Sequence, residues 1–213
     1  MNALQRLPLF AALALGFVVG RTHAQNFKPL FNGKDLTGWK FHLKDDKADP
    51  LKTFVVKNGV IEVSGFPNGY LYTDKSYTNY VLRYSWRFPK EQPEKTTLNS
   101  GLLVHIQEPH QVWPKSVEPQ GRYKDHGKIF FPGWPKDHKN EATYNEEAKN
   151  KAAKAMHEWN TTEVTCKADG SLEVRINGTL VATGKSPLTS GPIGFQSEAA
   201  RIDFKDIAIK ELK

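Results

Sequence analysis

Between Tyr80 and Phe88 every second residue, Tyr80, Leu82, Tyr84, Trp86 and Phe88, is aromatic or apolar, and the residues between them are mostly polar. Successive side chains of a strand point to opposite faces, so this run has one face for a core and one for water. A helix, with its 3.6-residue period, cannot bury such a pattern. Residues 171–177 repeat it, with Leu172, Val174 and Ile176 alternating with Glu173, Arg175 and Asn177. Residues 159–168, rich in Thr and Val, read as a third long strand. Near the C-terminus Ile202 and Phe204 share one parity, whereas Ile207 and Ile209 share the other. A β-bulge at Lys205-Asp206 would make that one-residue slip.

Shorter strands are expected at 54–57, 60–64, 70–73, 101–107 and 193–196. Asn32-Gly33, Asn58-Gly59, Asn68-Gly69, Asp169-Gly170 and Asn177-Gly178 punctuate the chain as turns. Asn58-Gly59 and Asn177-Gly178 each sit between two strand-like runs and predict tight hairpins. Many short strands without interleaved helices point to an all-β sandwich or barrel rather than an α/β fold. The exception is the stretch 115–157, read as an excursion from the sandwich. It holds Pro132-Gly133-Trp134-Pro135, which no paired strand tolerates. It also holds the Ala-, Glu- and Lys-rich residues 140–158, able to form one short helix.

Arg6, the apolar run 7–20 and the Thr22-His23-Ala24 end have the three parts of a secretory signal. The run is shorter than the roughly 20 apolar residues of a membrane span. The expectation is cleavage near Ala24, residues 25–213 as one domain, and a periplasmic or secreted location. Cys166 is the one cysteine, so no intrachain disulfide exists, and its alternating run makes it a small core residue. The formal net charge of +7 comes from scattered lysines. Without a basic stripe interleaved with aromatics, they read as a solvated surface rather than a nucleic-acid site.

Several motifs go beyond pattern. They are Pro29-Leu30-Phe31-Asn32-Gly33-Lys34-Asp35-Leu36-Thr37-Gly38-Trp39, Asn99-Ser100-Gly101, His157-Glu158-Trp159-Asn160, Gly191-Pro192-Ile193-Gly194-Phe195-Gln196 and Phe204-Lys205-Asp206-Ile207. In this order they resemble the 3-keto-disaccharide hydrolase family, also described as 3-keto-glucoside 1,2-lyase and 3-keto-2-hydroxy-glucal hydratase. The resemblance implies a concanavalin A-like jelly-roll β-sandwich and a carbohydrate substrate. It matches Glu118-Pro119-Gln120 to a Glu-x-Gln element and Gln196-Ser197-Glu198 to a polar pair near the end. The chain departs from the family where His105 stands for an Arg and Glu198 for a His.

The implied chemistry begins with a ketone at C3, which acidifies the hydrogen on C2. A base removes that proton, the aglycone leaves from C1, and water adds back. Such a route needs a base, an acid and a donor to the ketone oxygen, and a divalent metal ion could supply the last. Glu118 and His105 are the catalytic candidates. If Leu102, Val104 and Ile106 face the core, then Leu103, His105 and Gln107 face outward onto a sheet surface. Gln120, Gln196 and Glu198 are candidate substrate contacts. Trp113 and Trp134, beside prolines in or near the excursion, are candidate sugar-stacking rings. Trp39, Trp86 and Trp159 read as core, and the Glu158-Trp159-Asn160 motif as a structural anchor. His110, His126 and His138 lie in or next to the excursion but have no recognisable metal spacing. Two other readings share the scaffold: a non-catalytic carbohydrate-binding module, and a retaining glycosidase. The second lacks the Glu-x-Asp-x-x-Glu strand such enzymes carry.

Overall fold

The computed structural model describes residues 27–92, 96–138 and 141–213. The expected signal, residues 1–24, lies outside the described residues. Two antiparallel sheets pack face to face. The larger runs, in spatial order, Glu141–Tyr144, Thr179–Lys185, Ser171–Ile176, Asn160–Cys166, Tyr80–Arg87, Ile202–Glu211, Val60–Val63 and Phe54–Lys57, and Lys28–Pro29 also pairs with Ile202–Glu211. The smaller runs Trp39–Leu43, Gly69–Thr73, Gly194–Ser197 and Leu102–Leu103. A ribbon of Glu118–Pro119 and Ile129–Phe130 continues it, joined through the bridges Gly101–Gln120 and Val104–Val117.

The core follows from the alternation. Leu82, Tyr84, Trp86, Leu172, Val174 and Ile176 all lie buried, facing Trp39, Leu71, Leu102 and Phe195 of the smaller sheet. Tyr84 meets Phe195 edge-on across the interface at 5.1 Å. Cys166 is buried there too. Both hairpins form. Asn58 and Gly59 (φ 51° and 78°) and Asn177 and Gly178 (φ 47° and 86°) take the left-handed pairs that a two-residue hairpin turn demands. The slip in the last strand is a bulge between Lys205 and Ala208, with Asp206 at φ 53°.

The stretch 115–157 is only partly an excursion. Glu141–Tyr144 pairs with Thr179–Lys185 as an edge strand of the larger sheet, and Glu118–Pro119 extends the smaller one. The expected helix is shorter, Glu146–Ala152. Asn145 caps it by accepting from Ala148 N, with Glu146 and Glu147 in the first turn. Trp159 is not a core residue. It lies half-buried, with Arg87 and Lys205 over its ring at 4.6 and 4.5 Å. The neighbouring Asn160 is the anchor. Its Oδ1 accepts from Lys154 N and Asn177 Nδ2, and its Nδ2 donates to Glu158 O. No helix among the described residues is long and apolar enough to cross a membrane.

Candidate functional site

The site lies on the face of the smaller sheet turned away from the core. Phe41, Leu71 and Phe195 point inward to the core, so their strand neighbours His42, Tyr70 and Gln196 share the opposite face. The register makes these three a row, His42 opposite Tyr70 and Tyr70 opposite Gln196. Glu198, two residues beyond Gln196, falls on the same face. The Gly101–Gln120 bridge brings the Glu118 ribbon alongside. Together Asn99, Trp113, Glu118, Gln120, Pro132, Gln196 and Glu198 line a pocket of about 230 Å³. That is below the size of pockets that enclose drug-sized ligands, and suits a single ring with the rest of the ligand outside.

Glu118 is buried, 8% exposed. Burial first, and then the Glu198 carboxylate, push it up to about 8, against the adjacent Gln196 amide, which lies near it without reaching hydrogen-bond geometry, and a weaker pull from Arg122. At neutral pH it is therefore mainly a neutral acid able to donate. Burial also raises Glu198, while Asn99 and Arg122 favour its charge. Arg122 is turned toward Asp125, donating to both of its carboxylate oxygens at 2.7 and 2.6 Å. The Gln120 Oε1 accepts from Arg122 N at 2.9 Å, which fixes that amide at the rim.

Gln196 is 1% exposed, yet neither its Oε1 nor its Nε2 has a well-formed hydrogen bond within the protein. A buried amide left so costs on the order of 1–3 kcal/mol, and a ligand in the pocket would recover that. Its backbone is fixed on both sides, with Gln196 N donating to Gly101 O and Ser100 Oγ donating to Gln196 O. Among the described residues no three His, Cys, Asp or Glu side chains converge to hold a metal ion.

Five of the seven sequence candidates thus come together: Trp113, Glu118, Gln120, Gln196 and Glu198. His105 does not join them. The strand ends at Leu103, and His105 takes φ 57°, which breaks the alternation from which its outward orientation was inferred. Its ring turns inward, 1% exposed and edge-on to Tyr80, with Nδ1 2.8 Å from Leu188 O. Burial lowers it to about 4, so it is neutral at physiological pH. Leu103 is buried as well, in a small cluster with Tyr70 and Ile106 beneath the loop that follows. Trp134 is not among the pocket's lining residues. Its Nε1 donates to Ser116 O at 2.9 Å, and its ring stacks on His138 at 4.0 Å. His126 is structural too, stacked on Trp86 at 3.9 Å with Nε2 3.0 Å from Thr162 Oγ1. Pattern reading missed Asn99 as a lining residue and Arg122 as a rim charge. The Asn99-Ser100-Gly101 motif held the signal for the first, and nothing in the sequence marked the second.

A jelly-roll-type β-sandwich carrying a carboxylate pair in a ring-sized pocket belongs with the carbohydrate-active β-sandwich proteins. The chain is a member of the family described as the 3-keto-alpha-glucoside-1,2-lyase-like domain, whose model matches residues 26–210. Two solved structures from Parabacteroides distasonis, both provisionally described as glycosyl hydrolases, share the fold. One is 25% identical, covering 88% of this chain and 94% of its own, with a TM-score of 0.62. The other is 21% identical, covering 87% and 99%, with a TM-score of 0.63. The carbohydrate-binding module CBM66 from Bacillus subtilis, 11% identical, has the same fold over 83% of this chain and 98% of its own, with a TM-score of 0.60. Among curated proteins none matches this chain. The protein is thus carbohydrate-active and of the glycosyl hydrolase-like kind.

Proposed function

We propose that this protein cleaves 3-keto-glucosides by elimination across C1–C2 followed by hydration. The observation that carries this reading is the pairing of a neutral Glu118 with Glu198 beside the unpartnered amide of Gln196. Two carboxyl groups in one pocket with differently perturbed proton affinities supply an acid and a base at the same pH. Glu198 takes the C2 proton. The electron pair moves into a C2–C3 enolate, whose oxygen Gln196 Nε2 stabilises. The enolate then collapses, restoring the C3 ketone and forming a C1–C2 double bond. The C1–oxygen bond breaks, and Glu118 protonates the leaving oxygen. In the second half Glu118, now a carboxylate, takes a proton from water as it adds to C1, and Glu198 returns its proton to C2. Both residues end as they began, and the sum is hydrolysis.

The test is to incubate the protein with a 3-keto-glucoside in D2O and read the released sugar by NMR. Deuterium at C2, beyond that of a no-enzyme control, supports elimination. Hydrolysis with neither C2 exchange nor a slower turnover of the C2-deuterated substrate sinks it. A non-catalytic module would use the same pocket, and the shared fold with a carbohydrate-binding module motivates that second reading. Sugar binding without turnover would favour it. Export belongs to the same proposal, motivated by the signal-like residues 1–24. N-terminal sequencing that finds an intact Met1 on cytosolic protein would overturn it.

A further inference from the structure

Glu198 stands at the start of a short crossing between the two sheets. Gly194–Ser197 belongs to the smaller sheet and Ile202–Glu211 to the larger, so residues 198–201 alone carry the chain from one layer to the other. The crossing turns at once. Ala200 N donates to Glu198 O at 2.7 Å, which closes a three-residue turn centred on Ala199. Ala199 takes φ 63°. A three-residue turn with a positive φ at its centre is the rare and strained form of the γ-turn. Alanine there meets the left-handed penalty that glycine escapes. Such a residue is disfavoured by a factor on the order of ten to a hundred, and it persists only where its surroundings hold it.

The surroundings of this turn are specific. Thr96 Oγ1 donates to Ala199 O at 2.7 Å. Gln92 grips Arg201 at both backbone groups: its Nε2 donates to Arg201 O at 2.7 Å, and its Oε1 accepts from Arg201 N at 3.0 Å. The same Nε2 donates to Pro89 O at 3.0 Å, which orients the amide. Ala200 is fully buried, and a Cβ at position 65 would stand 2.5 Å from Ala200 O, so the turn is seated closely against the backbone of Gly65. Neither Gln92 nor Thr96 lines the acid pocket. Their bonds fall on the backbone that leaves Glu198, and none falls on its carboxyl group.

We propose that Gln92 and Thr96 are positioning residues for Glu198: they clamp the strained turn at Ala199, and the turn keeps the Glu198 side chain in the pocket. This rests on the reading of Glu198 as the base that takes the C2 proton. Without the clamp the turn relaxes toward ordinary backbone, Glu198 leaves its place, and the competent fraction of the molecules falls. Turnover drops with that fraction, while the rest of the pocket still binds substrate.

The experiment measures kcat and KM on a 3-keto-glucoside for the parent, Gln92→Ala, Thr96→Val, and each of these combined with Ala199→Gly. Each clamp variant should lower kcat roughly tenfold, as loss of one or two hydrogen bonds predicts, with KM little changed. Ala199→Gly should recover most of that loss, because glycine takes the positive φ without the clamp. A merely structural role would lower stability and leave no loss of kcat for a glycine to rescue. An unchanged kcat in the folded variants, or a loss that the glycine does not recover, overturns the proposal. Gln92→Ala is judged only if its circular dichroism matches the parent, and otherwise Thr96→Val, which removes a single hydroxyl, decides. If the parent turns nothing over, or Glu198→Gln is as active as the parent, the base reading has failed, and the position of Glu198 is read from its neighbour instead. The Glu198 carboxylate raises Glu118. In protein labelled at the glutamate carboxyl carbons, NMR should then show Glu118 titrating at lower pH in the clamp variants and returning toward the parent's midpoint with Ala199→Gly. An unshifted midpoint, or a shift that the glycine leaves in place, overturns the clamp.

Discussion

Gly101 leaves the space in which the Gln196 amide lies: a Cβ at position 101 would overlap Gln196 Oε1 and stand 2.5 Å from Glu118 Oε1. Its role is not conformational, since it has no positive φ. The need is room for two side chains from different strands. Gly101→Ala should therefore fold, yet push the amide and the carboxyl out of position. A displacement of about 1 Å at a reacting group can cost on the order of 10²-fold in rate. The expectation is a fall of that size in kcat/KM on a 3-keto-glucoside, with an unchanged circular dichroism spectrum. Activity within twofold of the parent would show that the amide and carboxyl need not occupy these places.

Glu118→Gln keeps the shape of the side chain and removes its proton. Loss of a general acid should lower turnover by roughly 10²–10⁴. The loss should be smaller for a substrate with an activated leaving group, such as a nitrophenol, which departs without protonation. Equal losses on both substrates would assign Glu118 some other role.

The same residue bears on stability. Glu118 is raised to about 8 in the fold, so the folded state holds a proton that the unfolded chain releases near its ordinary value of 4.5. Its contribution is fully present below about pH 4.5 and is lost as pH rises through 8. His105 and His126, lowered by burial to about 4 and about 3 from 6.5, act in the opposite sense. The unfolded chain gains their protons first, so their stabilisation is lost as pH falls below about 6.5. Between pH 4.5 and 6.5 the lowered histidines, His42 among them, oppose Glu118 and the raised carboxyls Glu198 and Asp203, and toward pH 8 the release of the Glu118 proton dominates. Thermal melts should peak near pH 6–7, and Glu118→Gln should flatten the alkaline limb while leaving the acid limb in place. An alkaline limb as steep in the variant as in the parent would count against the buried acid.

How far the sequence reached depended on how local each cause was. The hairpins at Asn58-Gly59 and Asn177-Gly178 and the bulge at Asp206 were legible because backbone preference and alternation set them within a few residues. The edge strand Glu141–Tyr144 was not. Its residues are mostly exposed and show no alternation, and its partner is 40 residues away at Thr143–Thr183. His105 was misread because one left-handed residue ended the period, and its partner Leu188 lies 83 residues away. Glu118, Gln196 and Glu198 came from motif resemblance. Alternation alone could not have shown that Gln196 stands opposite Tyr70, because register between distant strands is settled by tertiary packing.

The two indoles singled out as sugar-stacking rings separate cleanly, and a pair of substitutions should tell them apart. Trp113 is 37% exposed and lines the acid pocket, in the loop that His110 ties to the sheet. Trp113→Ala removes an exposed ring from the pocket wall and should raise KM several-fold, with little change in the melting temperature. Trp134 is tied down instead. Its Nε1 donates to Ser116 O, its ring stacks on His138, and Lys115 Nζ sits 4.3 Å above it. Trp134→Ala removes a hydrogen bond and a cation–π contact, together worth about 1–2 kcal/mol. It should lower the denaturant midpoint while KM moves less than in Trp113→Ala. Ser116 lies two residues before Glu118, so any loss of activity should come in kcat, through a loosened acid, rather than in KM. A larger KM effect from Trp134→Ala than from Trp113→Ala would mean that the loop carrying Trp134 swings over the pocket when substrate is bound.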